Sequence, residues 1–395
     1  MQAETRRACG DADAPHRLEL ELVTSVAGIR ALATDWRALE RRVGGPTFFQ
    51  SYGWCGHVAE TLVHHGGRDF LPIVAVGRRD DRVVAIWPLS AHRALGGWVV
   101  RTLDDPFGQL AGLLAVETGD ALALVEVALG EIERRGLAGA AFLERVPVGG
   151  PLHDALVQQG AAAQPGPGAP WIDLAAYASI EELRKSRNRK SMKNLRNARN
   201  RLRSAGEKSG LCLRQGADLD GLIRRASHRR RTWLGARGMS SPSFRHPRHL
   251  DVLLGGGSWG LDVERIGFEL RLDGHPIAEQ WGFVHGDRYY AYMSAFDPAY
   301  EAYSPGKLHL ALVVEQAMSM KLAAMEMLTP ASDYKMVWTD ASHDLVDMTL
   351  VWSRGARLRH EIWHARLRPG LKALYYALPT RLASSIAGML HTRGD

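Results

Sequence analysis

The sequence predicts a mixed α/β (α+β) fold assembled from two similar units, and three features carry that expectation. Residues 264–338 read as strand, Asp-Gly turn, strand, turn, strand and then helix. A fainter copy of the first part of this pattern lies about half a chain earlier. Between the two sits Gln164-Pro165-Gly166-Pro167-Gly168-Ala169-Pro170, which can continue neither a helix nor a central strand.

The second unit is the clearer one. Arg265 to Arg271 places Ile266, Phe268 and Leu270 on alternate positions, Asp273-Gly274 supplies a hairpin turn, and Ile277 to Val284 is apolar enough for a central strand. Gly286-Asp287 makes the next turn and Tyr289 to Ala295 a third, aromatic-rich strand. Tyr303-Ser304-Pro305-Gly306-Lys307 then opens a helix that Leu308, Ala311, Leu312, Glu315, Ala317 and Leu322 fit. A strand that runs through a turn into a helix leaves unpaired N–H groups at the positive end of the helix dipole. That is the outline of a phosphate or thioester site.

In the first half, Phe70 to Gly77, Asp80-Asp81 and Val83 to Trp87 echo Ile266 to Leu270, Asp273-Gly274 and Pro276 to Trp281. Ala121 to Arg135 reads as an amphipathic helix and Gly139 to Leu143 as a strand. Val84 to Ala91 runs into His92 to Gly97 without a strand-to-helix phosphate turn. The expected organisation is a degenerate first unit at 1–164, a linker at 165–170, a donor-binding second unit at 171–350 and a basic amphipathic tail at 351–395.

With 395 residues, 46% apolar and 24% charged, the chain has the composition of a globular protein with room for two domains. No apolar run approaches the ~20 residues of a membrane span, and Met1 to Leu18 is too polar for a signal peptide, so the cytoplasm is the expected compartment. Cys9, Cys55 and Cys212 have no metal-type spacing and suggest neither a disulfide framework nor a zinc site.

The positive charge is local. Arg184 to Arg203 holds ten Lys or Arg and no acid, against a net charge of +7 for the whole chain, so the remainder is net acidic. Ser179 and Glu182 stand in capping-box relation before it, and Met192, Leu195, Ala198 and Leu202 form a narrow apolar stripe. This reads as a surface helix with its basic side in solvent. A second cluster, Arg224-Arg225 and His228 to Arg231, falls on the next helix. The charge serves either as a solvated face or as an attraction to phosphate, whether of CoA, an anionic membrane or RNA.

At this point the residues resemble a known family. The segments Ala295-Phe296-Asp297-Pro298-Ala299-Tyr300, Ser304 to Lys307 and Tyr334-Lys335-Met336-Val337-Trp338 are similar to those of the BioF2-like, CelD-type branch of the GNAT acyltransferases. The resemblance covers roughly residues 175 to 340. It implies two tandem GNAT-like units, as in the related FemX-like peptidyltransferases, with the first shaping the acceptor pocket and the second holding the donor. It also implies that a backbone amide of Tyr289 to Ala295 polarises the thioester carbonyl.

Acyl transfer needs fixed N–H donors, a proton acceptor for the amine and a proton for the thiolate. Glu279 on the middle strand is placed to act as base if its side chain enters the cleft. Asp297 competes with it, although an Asp before Pro298 also suits a structural turn. Tyr303, with Tyr300, is a candidate proton donor to the thiolate, against a packing role. Ser304, Gly306 and Lys307 are expected to hold the donor, with Pro305 removing one N–H. Lys335 enters through the resemblance, as a phosphate or carbonyl ligand. Asp105, in a loop that faces the cleft in the family, is a candidate for the acceptor ammonium, and Trp281, Tyr292 and Tyr334 are expected to line the substrate.

The expected activity is N-acyl transfer from a thioester, with acyl-CoA as donor substrate and no metal, to a small-molecule or lipid amine such as a sphingoid-type base or an envelope precursor. An acyl carrier protein and aminoacyl-tRNA stay open as donors, and a non-enzymatic scaffold on the same fold stays open as well. Arg359, Trp363, Arg366, Lys372 and Tyr375 give the tail an aromatic and basic character suited to an anionic membrane surface, which would place the protein at the inner face of the membrane.

Overall fold

The computed structural model describes residues 18–357 apart from 46, 67–68, 95–96, 256–258, 260–262 and 354. The basic tail and Cys9 lie outside the described residues. Two sheets, one of eight strands and one of seven, are built almost in chain order.

The first unit begins with β1 (Glu19–Val23), α1 (Val26–Ala31), α2 (Ala33–Glu40) and α3 (Tyr52–Gly66). Then come β2 (Phe70–Arg79), β3 (Arg82–Ala94), β4 (Gly97–Thr102), β5 (Leu114–Ala115), α4 (Thr118–Arg134), β6 (Ala140–Pro147), α5 (Pro151–Gln158) and β7 (Ala162–Pro165). The β2–β3 hairpin turns at Asp80 and Asp81, both left-handed at φ 49° and 62°. This is the two-residue turn that matches strand twist. Helix α4 packs Leu124, Val125, Ala128 and Ile132 onto Trp87 and Leu89 on one face of the sheet.

The second unit comprises β8 (Ala169–Asp173), α6 (Ile180–Ser186), α7 (Arg189–Ser204), β9 (Ser209–Arg214), α8 (Ala217–Ala236), α9 (Pro242–Arg245) and α10 (His249–Leu254). It continues through β10 (Glu264–Leu272), β11 (His275–His285), β12 (Arg288–Phe296), α11 (Pro305–Ser319), β13 (Ala324–Glu326), α12 (Asp333–Met336) and β14 (Ala341–His343). Asp273 at φ 48° and Gly274 at φ 84° make the β10–β11 turn, so the two sheets do carry the same hairpin. Strands β9 to β12 form an antiparallel meander, and β13 then pairs with β12 in parallel.

The chain does not stay in the second sheet to residue 350. The last described strand, β15 (Leu345–Val351), inserts between β6 and β7 of the first sheet. The first sheet is therefore completed by chain that has already built the second. The 165–170 run is a short crossover: Pro165 ends β7, Ala169 starts β8, and Gly166 N–H donates to the Leu345 carbonyl at 2.8 Å.

Aromatic packing joins the two units. Phe48 stacks on Phe283 with ring centroids 4.3 Å apart, and Trp54 meets Phe283 edge-on at 5.5 Å. Wholly buried aromatic area of this size dominates an interface, so one continuous core spans both sheets. The basic helix α7 is as the sequence predicts, with only Ala198 and Leu202 buried. The capping box before α6 forms too: Ser179 accepts from Glu182 N–H at 3.2 Å, and Glu182 reaches back to Ala178 N–H at 2.9 Å.

Candidate functional site

Where β12 leaves its parallel partner the second sheet opens. Strand β13 pairs with β12 from Arg288 to Tyr290, and among the described residues no strand pairs with that edge of β12 beyond Tyr290. A bulge contributes, since the register with β11 shifts between Trp281 and Phe283. Gly282 sits at that bulge because nothing larger fits: a Cβ there would lie 1.8 Å from the Tyr290 carbonyl oxygen.

The open edge forms one wall of a cavity of about 1380 Å³. Asp297 N–H bonds the Ile277 carbonyl at 2.9 Å, so strand alternation directs the Ala295 amide toward β11 and the Ser294 and Phe296 amides toward the open edge. The start of α11 forms the floor. Ser304 is left-handed at φ 53°, and its carbonyl accepts from both Lys307 and Leu308 N–H at 3.2 Å. Pro305 has no N–H, and the Gly306 amide has no backbone acceptor among the described residues. The donor array is thus thinner than a full helix terminus. Lys307, exposed at the cavity mouth, adds a full charge.

The first unit supplies the opposite wall. Tyr292 OH donates to the Phe107 carbonyl at 2.9 Å, and Gln109 Nε2 donates to the Tyr292 carbonyl at 3.2 Å. These two bonds fasten the 104–109 loop onto β12. Asp105 lines the cavity and meets Arg101 at 3.5 Å. Its neighbour Asp104 is turned inward, accepts from Trp54 Nε1 at 2.8 Å, and is pushed up to about 6 by burial.

Seven of the residues expected from sequence share this cavity: Asp105, Tyr292, Ser304, Gly306, Lys307, Tyr334 and Lys335. Four do not line it. Glu279 points away, under α8, where Arg225 holds it at 2.8 Å and Arg229 at 3.0 Å. Burial raises its pKa, and the same two guanidiniums oppose the rise. Asp297 caps Ala299 N–H at 3.0 Å and binds Arg229 at 3.0 Å, which is the structural turn role. Trp281 lies in the aromatic core and Tyr303 packs near Leu308.

Lys335 has a defined structural partner set. Its Nζ donates to the Met327, Leu328 and Pro330 carbonyls at 2.8, 2.9 and 3.0 Å, fixing the loop that diverges from β12. Burial, with Arg230 nearby, lowers its pKa to about 7. Sequence reasoning missed several wall residues. Arg229 and Arg230, which the sequence places in a cluster serving either as a solvated face or as an attraction to phosphate, both line the cavity, and Arg230 stacks over Trp233 at 4.5 Å. Gln280, 5% exposed, lines the cavity and faces Ser294 across the strand pair. His309, 2% exposed, has no partner for Nε2 among the described residues, and burial lowers it to about 3.

Among the described residues no cluster of His, Cys, Asp or Glu could hold a metal ion, and no helix is long and apolar enough to cross a membrane.

Residues 189–336 match the acetyltransferase (GNAT) domain family. FemX superposes with a TM-score of 0.57 at 13% identity, over 87% of this chain and 99% of that one. The C-terminal domain of a putative lysylphosphatidylglycerol synthetase from Agrobacterium fabrum superposes with a TM-score of 0.52 at 11% identity, over 85% and 95% of the two chains. L-PGS from Bacillus licheniformis gives 0.50 at 12% identity, again over 85% and 95%. No curated protein sequence matches the chain. The second sheet therefore lies in the segment that matches a GNAT domain, and the two-sheet architecture as a whole is a FemX-like fold.

Proposed function

We propose that this chain, a tandem GNAT protein whose second unit carries the acetyltransferase-type domain, transfers an acyl group from a thioester to an amine. One observation carries the reading: the unpaired edge of β12 and the open start of α11 meet in a single cavity whose far wall is the first unit. A thioester lying along that edge has its carbonyl oxygen beside the outward amides of Ser294 or Phe296. A CoA donor has its phosphates at Gly306 and Lys307.

The chemistry asks little more of the protein. The neutral amine attacks the thioester carbon, and the C–N bond forms as charge develops on the oxygen facing the strand amides. The C–S bond then breaks, and the amine proton passes through cavity water to the departing thiolate. Glu279 can act on this sequence only through Arg229, which both holds it and lines the cavity. It is therefore a positioning residue. We take acyl-CoA as the donor and a small-molecule or lipid amine as the acceptor, with a BioF2-like, CelD-type role in the cytoplasm or at the inner membrane face.

The test is incubation of the protein with CoA thioesters from acetyl to palmitoyl and a panel of amines, with free thiol and amide product both quantified. Equal amounts of thiol and amide support the reading, and thiol release from no thioester overturns it. A second reading, with the acyl group carried on tRNA, is favoured by the exposed basic face of α7 at Lys193, Arg196, Arg199 and Arg203. It predicts salt-dependent retardation of tRNA on a gel, and no retardation at low salt removes it.

A further inference from the structure

The first unit brings two arginines, Arg101 and Arg145, to the lining of the cavity that also holds the donor turn. Arg101 lies on β4, directly across from Ser90, and shares a sheet face with His92. Arg145 lies near the end of β6 in a left-handed conformation, φ 61°. A long side chain in that region is uncommon and must be held there by its surroundings. Two bonds hold it: Arg145 N–H donates to Asp347 on β15 at 2.9 Å, and the Arg145 carbonyl accepts from Ala111 N–H at 3.0 Å.

Among the described residues, Arg145 meets one acid, its exposed chain neighbour Glu144 at 3.4 Å, and Arg101 meets one, Asp105 at 3.5 Å. Both distances are too long for a bidentate fork, and each guanidinium offers five donors. Burial, and after it Arg101 and His246, lower the neighbouring His92 to about 4.

We propose that Arg101 and Arg145 form an anion site on the first unit, and that the amine acceptor carries a carboxylate or phosphate group that docks there. A planar, multidentate donor set suits either anion. The donor turn at Gly306 and Lys307 lies on the other unit, so the two anionic ends of donor and acceptor are held apart and the amine reaches β12 between them. This assignment rests on reading the cavity as a transferase site.

Binding tests it without turnover. Inorganic phosphate and succinate are titrated at low salt into the wild type, Arg101→Gln, Arg145→Gly and Lys307→Gln proteins, with melting temperature as readout. Arg145→Gly removes the guanidinium and also relieves the left-handed backbone, so the fold is retained. The wild type and Lys307→Gln should be stabilised, and Arg145→Gly and Arg101→Gln should need at least about tenfold more anion for the same shift. Whichever anion saturates at lower concentration identifies the group. The assignment is overturned if neither anion shifts the wild type, if the shift survives Arg145→Gly, or if Lys307→Gln alone removes it. CoA-thioester binding, followed in parallel, separates this failure from failure of the transferase reading. Should Arg101→Gln unfold, Arg145→Gly decides the matter alone.

Discussion

Arg229 binds the fully buried carboxylate of Glu279 at 3.0 Å and, through its other terminal nitrogen, Asp297 at 3.0 Å. One guanidinium thus ties β11 and the turn before α11 to helix α8. Removing Glu279 leaves Arg225 with Glu269 and Arg229 with Asp297 as remaining partners, so Glu279→Ala should destabilise the protein by about 1–3 kcal/mol through the lost buried bonds. Urea unfolding measures this. Glu279→Gln, which keeps the shape, should leave the pH dependence of acyl transfer in place, whereas a directly acting base would lose its limb of that profile.

Gly282 is the close-contact point of the bulge that opens β12. Gly282→Ala forces a methyl group against the Tyr290 carbonyl, and the backbone must part to admit it. The expected loss is at the upper end of the ~1–3 kcal/mol typical of overpacking, accompanied by weaker thioester binding. A normal melting temperature in this variant would contradict the bulge geometry.

Lys335 ties three carbonyls of the 327–330 loop together. Lys335→Met leaves all three without a donor and should cost about 2–3 kcal/mol in thermal unfolding. Its effect on CoA-thioester binding should follow the loop: weaker affinity, with the dependence on acyl chain length disturbed.

Buried histidines set the acid limit of stability. His309 is lowered to about 3 and His249 to about 4, chiefly by burial. Below their ordinary value of about 6.5 the unfolded chain takes up protons that the folded chain does not. Stability from these groups is therefore complete above pH 6.5 and is lost as pH falls from 6.5 toward 4, with a limiting slope of about 1.4 kcal/mol per pH unit for each histidine. Melting temperatures between pH 7.5 and 4.5 should fall accordingly, and His309→Leu should flatten the decline.

The parts of the fold that local chemistry dictates were legible in the sequence. Asp80-Asp81 and Asp273-Gly274 can adopt left-handed turns and mark both hairpins, and Pro305-Gly306 marks the start of α11. Contacts made far along the chain were not. Nothing in Leu345 to Val351 says that it pairs with β6 rather than the second sheet. Alternation along β11 does not reveal which face meets α8, so the sequence gives no sign that Arg225 and Arg229 pair with Glu279. Arg145 carries no local sign of its conformation, because Asp347 and Ala111, both distant in sequence, hold it. The turn from Ser304 to Lys307 was therefore legible in the sequence, while the placement of Arg145 and Arg229 on the cavity wall required the structure.

Gly306 offers the most direct test of the central claim. A Cβ there would make only an ordinary 3.5 Å contact with Phe296, so the backbone tolerates a side chain, and tryptophan would project into the donor space. Calorimetric titration of CoA thioesters from acetyl to palmitoyl into wild type and Gly306→Trp should give saturable, chain-length-dependent binding in the first and none in the second, with similar melting temperatures. Equal binding by both proteins, or by neither, would contradict a thioester donor at this turn.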